Sequence, residues 1–250
     1  MDNKLLLETA VLAGELLLEN GAETWRVEDT IGRMLAMSEL ETAEVFVTMT
    51  GFVATLDDPS VDTTMTVVRR VKSRTTNLAV IHEVNRTSRG FCHGVFTLEQ
   101  ARQRLDDLQA HEWPFRLLPF MAAYALIAAG FTMVADPVPV EIFLSAFVGC
   151  LTAICQYVCK RLHVRSFLAT LFCAAVISVT ANIAVDMLGV ADSMDSVVIG
   201  AIMPLVPGIA ITNATFDTLN GDYLSGVARL LEAFVTAAAI AMGISLGLML

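Results

Sequence analysis

The chain has 250 residues, of which 55% are hydrophobic and 17% are charged, and its formal net charge is −10. A soluble domain usually contains about 25% charged residues, so this composition excludes a chain built only of soluble domains. The acidic balance also argues against nucleic acid as a partner, because neutralising phosphates requires a basic surface.

The charged residues are concentrated in the first part of the chain. Residues 1–114 contain 18 of the 26 acids and 11 of the 16 Lys and Arg residues, which gives this part a net charge of −7. The contrast predicts a cytosolic α+β domain over residues 1–114 and a transmembrane helical domain over residues 115–250. Because Glu8, Glu15 and Glu19 interrupt the apolar run at the N-terminus, that run does not fit a signal peptide.

The first domain combines helical and strand-like patterns. Apolar residues at helical spacing predict a helix over residues 4–19 that stops at Asn20-Gly21, and the Thr24 hydroxyl suits the start of a second helix ending near Ala36. A last polar helix is predicted over about 97–110. The strand-like, β-branched segments are residues 44–56, 63–72 and 78–85, with residues 57–60 as a turn.

The second domain reads as about five membrane spans. Crossing the hydrocarbon core takes about 20 apolar residues, and the matching segments are residues 115–134, 140–158, 166–185, 197–212 and 223–250. The fourth span is short and contains Pro204, Pro207 and Gly208, which break a helix; such a break is tolerated at membrane depth only against protein or a water-filled cavity. Small residues four apart predict close helix packing, as in Gly149/Ala153, Ala169/Cys173 and Gly243/Gly247.

The loops predict an orientation. Residues 160–165 contain Lys160, Arg161 and Arg165, whereas residues 136–139 and 189–195 contain no base. Basic loops face the cytoplasm. The N-terminal domain is therefore expected on the cytoplasmic side of the cell membrane and the C-terminus on the outer side.

Polar residues follow the interrupted span. Asn213, Asp217 and Asn220 recur at spacings of four and three, so on a helix they would share one face and could line a pathway for a substrate or an ion, together with Asp222. The alternative is that residues 213–222 form only a cytoplasmic loop. Arg229 and Glu232 could contact the substrate, or could simply neutralise each other as an ion pair.

Other candidate sites carry less weight. Asn182 and Asp186 are interpreted as marking the end of the third span, and residues 69–74 as a solvated basic strand edge. Gly243-Ile-Ser245-Leu-Gly247 matches a hydrolase pattern but lies in an apolar segment, so helix packing is the preferred interpretation. The spacing of the five cysteines and four histidines predicts neither a disulfide framework nor a metal site, and no cofactor motif is present.

Two segments resemble one known family. Gly21-Ala22-Glu23-Thr24, followed by Arg26 and Glu28, is similar to the N-terminal signature of the threonine/serine exporter (ThrE) family. Pro207-Gly208, Asn213, Asp217, Gly221-Asp222, Gly226 and Arg229 resemble that family's membrane motif. Full-length exporters of the family have about ten spans, so this chain is most similar to the YjjP-like half of a split exporter that works with a second, YjjB-like membrane subunit. The resemblance implies export of threonine and serine or of a dicarboxylate such as succinate.

Three hypotheses therefore stand. The leading one is a non-enzymatic subunit of a secondary exporter of a small polar or anionic metabolite, acting as an oligomer in the cell inner membrane. The alternatives are a membrane-anchored enzyme and a ligand sensor, both using the cytosolic domain. The five predicted spans with internal polar residues exceed what an anchor needs.

Overall fold

A computed structural model describes residues 2–38, 40, 42–58, 63–111, 116–135, 138–189 and 194–249. This part of the chain is mostly helical and contains one three-stranded sheet. The elements are α1 Asn3–Glu19, α2 Thr24–Leu35, β1 Thr42–Thr48, β2 Gly51–Asp58, β3 Thr63–Arg70, α3 Leu78–Cys92, α4 Leu98–Ala110, α5 Leu117–Ala135, α6 Pro139–Arg161, α7 Ser166–Leu188, α8 Met194–Ile202, α9 Gly208–Leu219 and α10 Tyr223–Leu248.

The chain forms two compact units. The first unit contains residues 1–112 together with residues 212–230, and the second contains residues 113–211 and 231–250. Residues 212–230, which include the second half of α9 and the start of α10, therefore pack with the N-terminal part of the chain.

Helix α1 lies at the centre of the first unit. It contacts α2, α3, α4 and the sheet, and its buried side chains include Leu6, Leu17 and Leu18. Lys4 and Glu8 are exposed on the remaining face, as expected of an amphipathic helix. Around it, α2 presents Val27 and Ile31 to the same core. Helix α4 begins with the capping box that Thr97 and Gln100 form, so the helix predicted over 97–110 is confirmed.

The sheet is antiparallel with the order β1-β2-β3. Its first two strands form a hairpin in which Thr48 pairs with Gly51, so the single segment predicted over residues 44–56 is wrong: it is two strands joined by a tight turn. Strand β3 confirms the segment predicted to start at residue 63 and lies at the sheet edge, where Arg69 and Arg70 are exposed. The turn predicted over residues 57–60 includes Pro59 and Ser60, which lie outside the described residues.

The strand predicted over residues 78–85 is wrong, because this segment is the first half of α3. The Asn77 side chain accepts hydrogen bonds from the backbone N–H groups of Ala79 and Val80 and so caps the helix. Val80, Val84 and Phe91 are buried at helical spacing. Their packing against the core outweighs the β-propensity of a short β-branched run.

The second unit consists of apolar helices. Helices α5, α6, α7 and α10 are each long and apolar enough to cross a membrane. Helices α8 and α9, with a short 3-10 turn at Met203–Leu205, form a further candidate span that bends by 55° at the break. The predicted break is therefore confirmed, with Pro204 in the 3-10 turn and α9 beginning at Gly208, while the crossing of the membrane by this pair stays a prediction.

Small residues allow close helix approach in the second unit, as predicted. A Cβ atom on Gly149 would lie 2.9 Å from the Tyr124 carbonyl oxygen of α5. On α10, a Cβ on Gly243 would overlap the Leu171 carbonyl of α7, and one on Gly247 would lie 2.7 Å from the Ala175 carbonyl. The Gly243-Ile-Ser245-Leu-Gly247 segment is thus a packing surface.

Candidate functional site at the α1–α2 loop and the α9–α10 turn

The loop between α1 and α2 is fixed by its sequence. Gly21 adopts a left-handed conformation (φ 92°), and the backbone N–H groups of Gly21 and Ala22 donate to the carbonyls of Leu18 and Leu17. This pattern is a Schellman motif, which ends a helix where glycine permits positive φ. The predicted stop at Asn20-Gly21 is confirmed, and the loop that follows presents the carbonyls of Gly21 and Ala22.

The turn between α9 and α10 uses the same device. Gly221 has φ 93°, and the N–H groups of Gly221 and Asp222 donate to the carbonyls of Thr218 and Asp217. The chain then reverses into α10, where Gly226 lies so close to α9 that a Cβ would overlap the Thr218 hydroxyl. Glycines 221 and 226 thereby place the start of α10 directly against the end of α9.

These two segments meet at the Asp217 carboxylate, which is fully buried. Its Oδ1 atom accepts hydrogen bonds from the Thr24 backbone N–H at 3.1 Å and from the Thr24 hydroxyl at 2.8 Å. Its Oδ2 atom accepts a hydrogen bond from Arg229 Nε at 2.8 Å. Three donors, one of them a guanidinium, thus satisfy this carboxylate, which is the condition for burying a charge.

Two further contacts bind the α1–α2 loop. Arg229 Nη2 donates to the Ala22 carbonyl at 2.8 Å, and the Asn213 side-chain amide donates to the Gly21 carbonyl at 3.1 Å. Arg229 and Asn213 are both buried. We refer to Thr24, Asn213, Asp217 and Arg229, with the carbonyls of Gly21 and Ala22, as the Asp217 cluster. All of its members belong to the first unit.

The local sequence suggested the substrate or Glu232 as the partner of Arg229, and its principal partner in the structure is neither of these. The guanidinium of Arg229 binds the Asp217 carboxylate and a backbone carbonyl. The hairpin formed by α9 and α10 brings Asp217 and Arg229 together, because it buries the guanidinium against the end of α9.

Thr24 plays a different role from the predicted one. The N-cap of α2 is Glu23, whose side chain makes no capping hydrogen bond. Thr24 is the first helical residue, and its free N–H and hydroxyl both donate to Asp217. An acidic group at a helix N-terminus is favourable because orphan N–H groups and the helix dipole point at it. Asp217 therefore provides, from about 190 positions further along the chain, the cap that the local sequence lacks.

The other predicted site residues lie at the edge of this cluster or apart from it. Asp222 Oδ2 lies 3.2 Å from the Thr24 hydroxyl, and Asn220 is exposed, so only Asn213 and Asp217 of the predicted polar face are buried together. Glu23 and Arg26 form an ion pair at 3.0 Å. Pro204 and Pro207 belong to the second unit.

Glu28 connects α2 to the sheet. Its Oε2 atom accepts a hydrogen bond from the Val47 backbone N–H at 3.3 Å. Burial raises the pKa of Glu28, the Val47 hydrogen bond opposes this shift, and the negative charge of Asp222 adds to it. Glu28 and Asp222 also line a shallow cleft of about 570 Å³ with Trp25 and Asn220.

A second cleft lies between α2 and α3. Its volume is about 250 Å³, and its lining includes Arg26, Arg33 and Arg89 but only one acid, Asp29. Arg33 pairs with Asp29 at 2.8 Å, whereas no ion pair of Arg89 occurs among the described residues. This concentration of cations contrasts with the negative charge of the N-terminal part as a whole.

The second unit contains one group that the spacing of the sequence did not reveal. Cys155 and Cys159 on α6 and Cys173 on α7 bring their sulfur atoms within 4.8 Å of one another. The expectation of no metal site relied on motif spacing, which cannot show that neighbouring helices place three thiols together.

Sequence reasoning also passed over Glu141, the single acid of α6. This side chain is only 4% exposed, and its Oε2 atom has no hydrogen-bond partner within the described part of the chain. The available signal was an acid inside a segment counted as an uninterrupted span, since ionisable residues in spans are rare and usually functional.

Comparison with known proteins agrees with the resemblance seen in the two motifs. The family model described as "Putative threonine/serine exporter" (ThrE) matches residues 8–250. A protein of Mycobacterium tuberculosis (strain ATCC 25618 / H37Rv) named "Probable threonine/serine exporter" is 23% identical over 252 residues, covering 99% of this chain and 46% of the relative. The chain thus spans about half the length of this relative, and no solved structure matches it. Because the family match extends over nearly the whole chain, the chain belongs to the threonine/serine exporter family.

Proposed function

We propose that this chain is a subunit of a secondary exporter that moves threonine or serine out of the cytoplasm, and that the Asp217 cluster takes part in transport. The observation that carries the proposal is the meeting of the two family-like segments, separated by about 190 positions, at one buried ion pair. Family membership supports a transporter rather than an enzyme.

The chemistry of the cluster fits an amino acid better than a dicarboxylate. An amino acid carries an ammonium group that can replace Arg229 at Asp217, and a carboxylate that can replace Asp217 at Arg229. A dicarboxylate would bring two negative charges to a site with one guanidinium and one carboxylate. Because like charges repel strongly where water is excluded, the zwitterion is the better ligand for this pair.

The closed state of the cluster also suggests how transport is gated. With all three donors in place, both oxygens of Asp217 are hydrogen-bonded and the carboxylate is fully buried, so a substrate cannot reach it. A substrate must therefore separate Asp217 from Arg229 and release the carbonyls of Gly21 and Ala22. In this proposal the Asp217–Arg229 ion pair holds the α1–α2 loop against the α9–α10 hairpin. The zwitterionic substrate releases the loop when its ammonium group binds Asp217 and its carboxylate binds Arg229.

The test is a charge series in cells that contain the complete exporter. Asp217→Asn should abolish threonine efflux while protein remains in the membrane, and the exposed acid change Asp107→Asn serves as the matched control. Breaking a buried pair by removing one partner costs about 3–5 kcal/mol, so membrane protein level must be measured alongside efflux.

The double change Asp217→Asn with Arg229→Gln separates transport from folding. If the pair is purely structural, the double variant restores both protein level and efflux. If Asp217 and Arg229 bind the substrate, protein level recovers and efflux does not. Normal efflux by Asp217→Asn alone would remove the cluster from the mechanism.

The second membrane subunit is part of the same proposal. The described part of the chain has four helices that could cross a membrane, or five with the bent pair. The family resemblance implies ten or so for a full-length exporter, and the chain covers 46% of its M. tuberculosis relative. The purified chain alone in liposomes should therefore be silent, and flux should require the YjjB-like partner. Substrate-specific flux from the single chain would instead indicate a homo-oligomeric transporter.

The proposed orientation places residues 1–114 in the cytoplasm and the C-terminus outside. It relies on the basic residues of the 160–165 loop. In a cysteine-free background, single cysteines in residues 189–195 should react with a membrane-impermeant reagent added outside, and cysteines in residues 160–165 should not. The reverse pattern would overturn the orientation.

The cleft between α2 and α3 favours a second candidate function, namely ligand sensing by the first unit. Its volume of about 250 Å³ and its lining by Arg26, Arg33 and Arg89 suit a small carboxylate. With Trp113→Phe, Trp25 becomes the single tryptophan and reports directly on the cleft. Succinate or threonine should change its fluorescence saturably; Arg89→Gln should weaken the response, and Arg86→Gln on the same helix should not.

A further inference from the structure

The second unit buries an acid that has no visible counter-charge. Glu141 lies in the first turn of α6, where it is only 4% exposed, and its Oε2 atom is buried without a hydrogen-bond partner among the residues described. A buried carboxylate oxygen without a hydrogen-bond partner is rare in folded proteins, and an ionisable group within a membrane span is costly. A bound cation would satisfy this carboxylate.

A second buried oxygen without a hydrogen-bond partner lies one helical turn from Glu141. Ser145 is one helical turn further along the same face of α6, and its buried hydroxyl also lacks a partner in the described structure. Gly200 of α8 makes room here, because a Cβ at that position would lie 2.6 Å from Ser145 Oγ and would overlap the Thr132 hydroxyl of α5. The hydroxyls of Ser145 and Thr132, the latter donating to the Ser196 carbonyl, therefore lie together beside Gly200, one helical turn along α6 from Glu141.

No base of the second unit can neutralise Glu141. In their described parts the packed helices α5, α7 and α8 carry the titratable residues Tyr124, Cys173, Asp186 and Asp195, and none of these is a cation. On α6 itself, Lys160 is 19 residues away, which is about 28 Å along the helix at 1.5 Å per residue. Arg116, Arg161 and Arg165 flank the same end of the helices as Lys160.

We propose that Glu141 is the binding site for one coupling cation, a proton or Na⁺, in the membrane unit. Binding of a monovalent cation removes the net charge of the buried carboxylate, and the hydroxyls of Ser145 and Thr132 supply the neutral oxygen ligands. Hard oxygen ligands of this kind suit Na⁺, and the same hydroxyls can accept a hydrogen bond from the protonated carboxyl. Glu141 belongs to the second unit, whereas the Asp217 cluster belongs to the first. Only the role of Glu141 in driving transport rests on the proposed export function.

The binding step can be tested without transport. The full chain in membranes is treated with a hydrophobic carbodiimide, which reacts with protonated carboxyls in apolar surroundings, and the modified residue is identified by peptide mass spectrometry. Asp195 is the internal control, because it also lies in the first turn of a helix but is exposed. Glu141 should be modified several-fold faster than Asp195, and its rate should rise as pH falls.

Added Na⁺ distinguishes the two cations. If Na⁺ is the ligand, it should protect Glu141 from the carbodiimide in a saturable way that K⁺ at equal ionic strength does not reproduce. If the proton is the ligand, neither salt protects while the pH dependence remains. Modification of Glu141 no faster than of Asp195 at every pH, or independent of both pH and Na⁺, would overturn the proposal.

The coupling role is measured separately. In cells with the complete exporter, Glu141→Gln should lose efflux driven by an ion gradient, retain exchange of labelled for unlabelled substrate, and keep its membrane protein level. Asp195→Asn should retain both activities. Gradient-driven efflux by Glu141→Gln equal to wild type would exclude coupling, whereas absence of all efflux in the wild type would contradict the proposed function and leave the labelling result intact.

Discussion

The two units bury side chains of different sizes. In the first unit, large aliphatic residues such as Leu6, Leu17 and Ile31 are fully buried. In the second, the fully buried positions include Ala128, Ala174, Ala181 and Ser145, while Leu118, Phe143 and Leu126 are 78%, 77% and 74% exposed. Both units are rich in apolar residues, but the first unit buries most of its large apolar side chains, whereas the second unit leaves many of them exposed.

The difference follows from the surroundings in which each unit is stable. Water drives large apolar side chains into a common interior, at about 25 cal/mol for each Å² buried. Lipid tails are as apolar as leucine, so membrane helices gain little by burying it and associate instead through small residues that allow close contact. The exposed leucines and phenylalanines therefore support a membrane location for the second unit independently of its hydropathy.

The largest expected loss of stability is in the hydrophobic core of the first unit. Leu17→Ala should destabilise the first unit by about 2–5 kcal/mol, because it removes apolar contacts and leaves a cavity around the central helix. Hydrogen exchange of α1 and α2 peptides in the full chain measures this locally, which is needed because two units do not unfold as one transition. Unchanged exchange in α1 would contradict a tightly packed aliphatic core.

In the interior of the second unit, the informative change enlarges a small residue instead of shortening a large one. Gly243→Leu should destabilise the packing of α10 against α7 by about 1–3 kcal/mol or more, because a Cβ already overlaps the Leu171 carbonyl. Thermal aggregation of the detergent-solubilised protein is the measurement. The matched variant is Gly130→Leu on α5, where no atom lies within 4 Å of the added Cβ and little change is expected.

A lipid-facing substitution should have a much smaller effect. Phe143→Ala removes a large side chain that is 77% exposed, and surface changes of this kind usually alter stability by about 0.5 kcal/mol or less. The same thermal assay applies. A loss as large as that of Leu17→Ala would show that Phe143 contacts protein, such as the proposed second subunit, rather than lipid.

The smallest effect concerns the half-buried Glu28. Its pKa is raised in the folded protein, mainly by burial, so the folded state holds its proton to higher pH than the unfolded state does. Stability contributed by this group is therefore present below the ordinary pKa and is lost as pH rises through the raised folded value. Glu28→Gln should remove this decline. Hydrogen exchange of α2 measured at mildly acidic and neutral pH checks the difference, and identical pH dependence in both proteins would exclude the shift.

Particular residues show how far the sequence alone could lead. The helices α1, α2 and α4, the apolar spans and the break near Pro204 follow from local patterns, namely helical spacing, capping residues and prolines. Residues 78–85 misled because a short β-branched run fits both a strand and a buried helical face, and only packing decides between them. The hairpin within residues 44–56 was signalled by its length, since 13 residues exceed most strands.

In the amino-acid sequence, Thr24, Asp217 and Arg229 could already be placed in two segments that resemble motifs of the exporter family. The capping of α2 by Asp217 and the pairing of Asp217 with Arg229 became visible only in the folded protein. The tertiary structure also decided that Glu141 is buried without a partner and that three cysteines meet. The physical reason is that hydrogen bonds and charge pairs act over about 3–4 Å in space, and separation along the chain does not limit them once helices have packed.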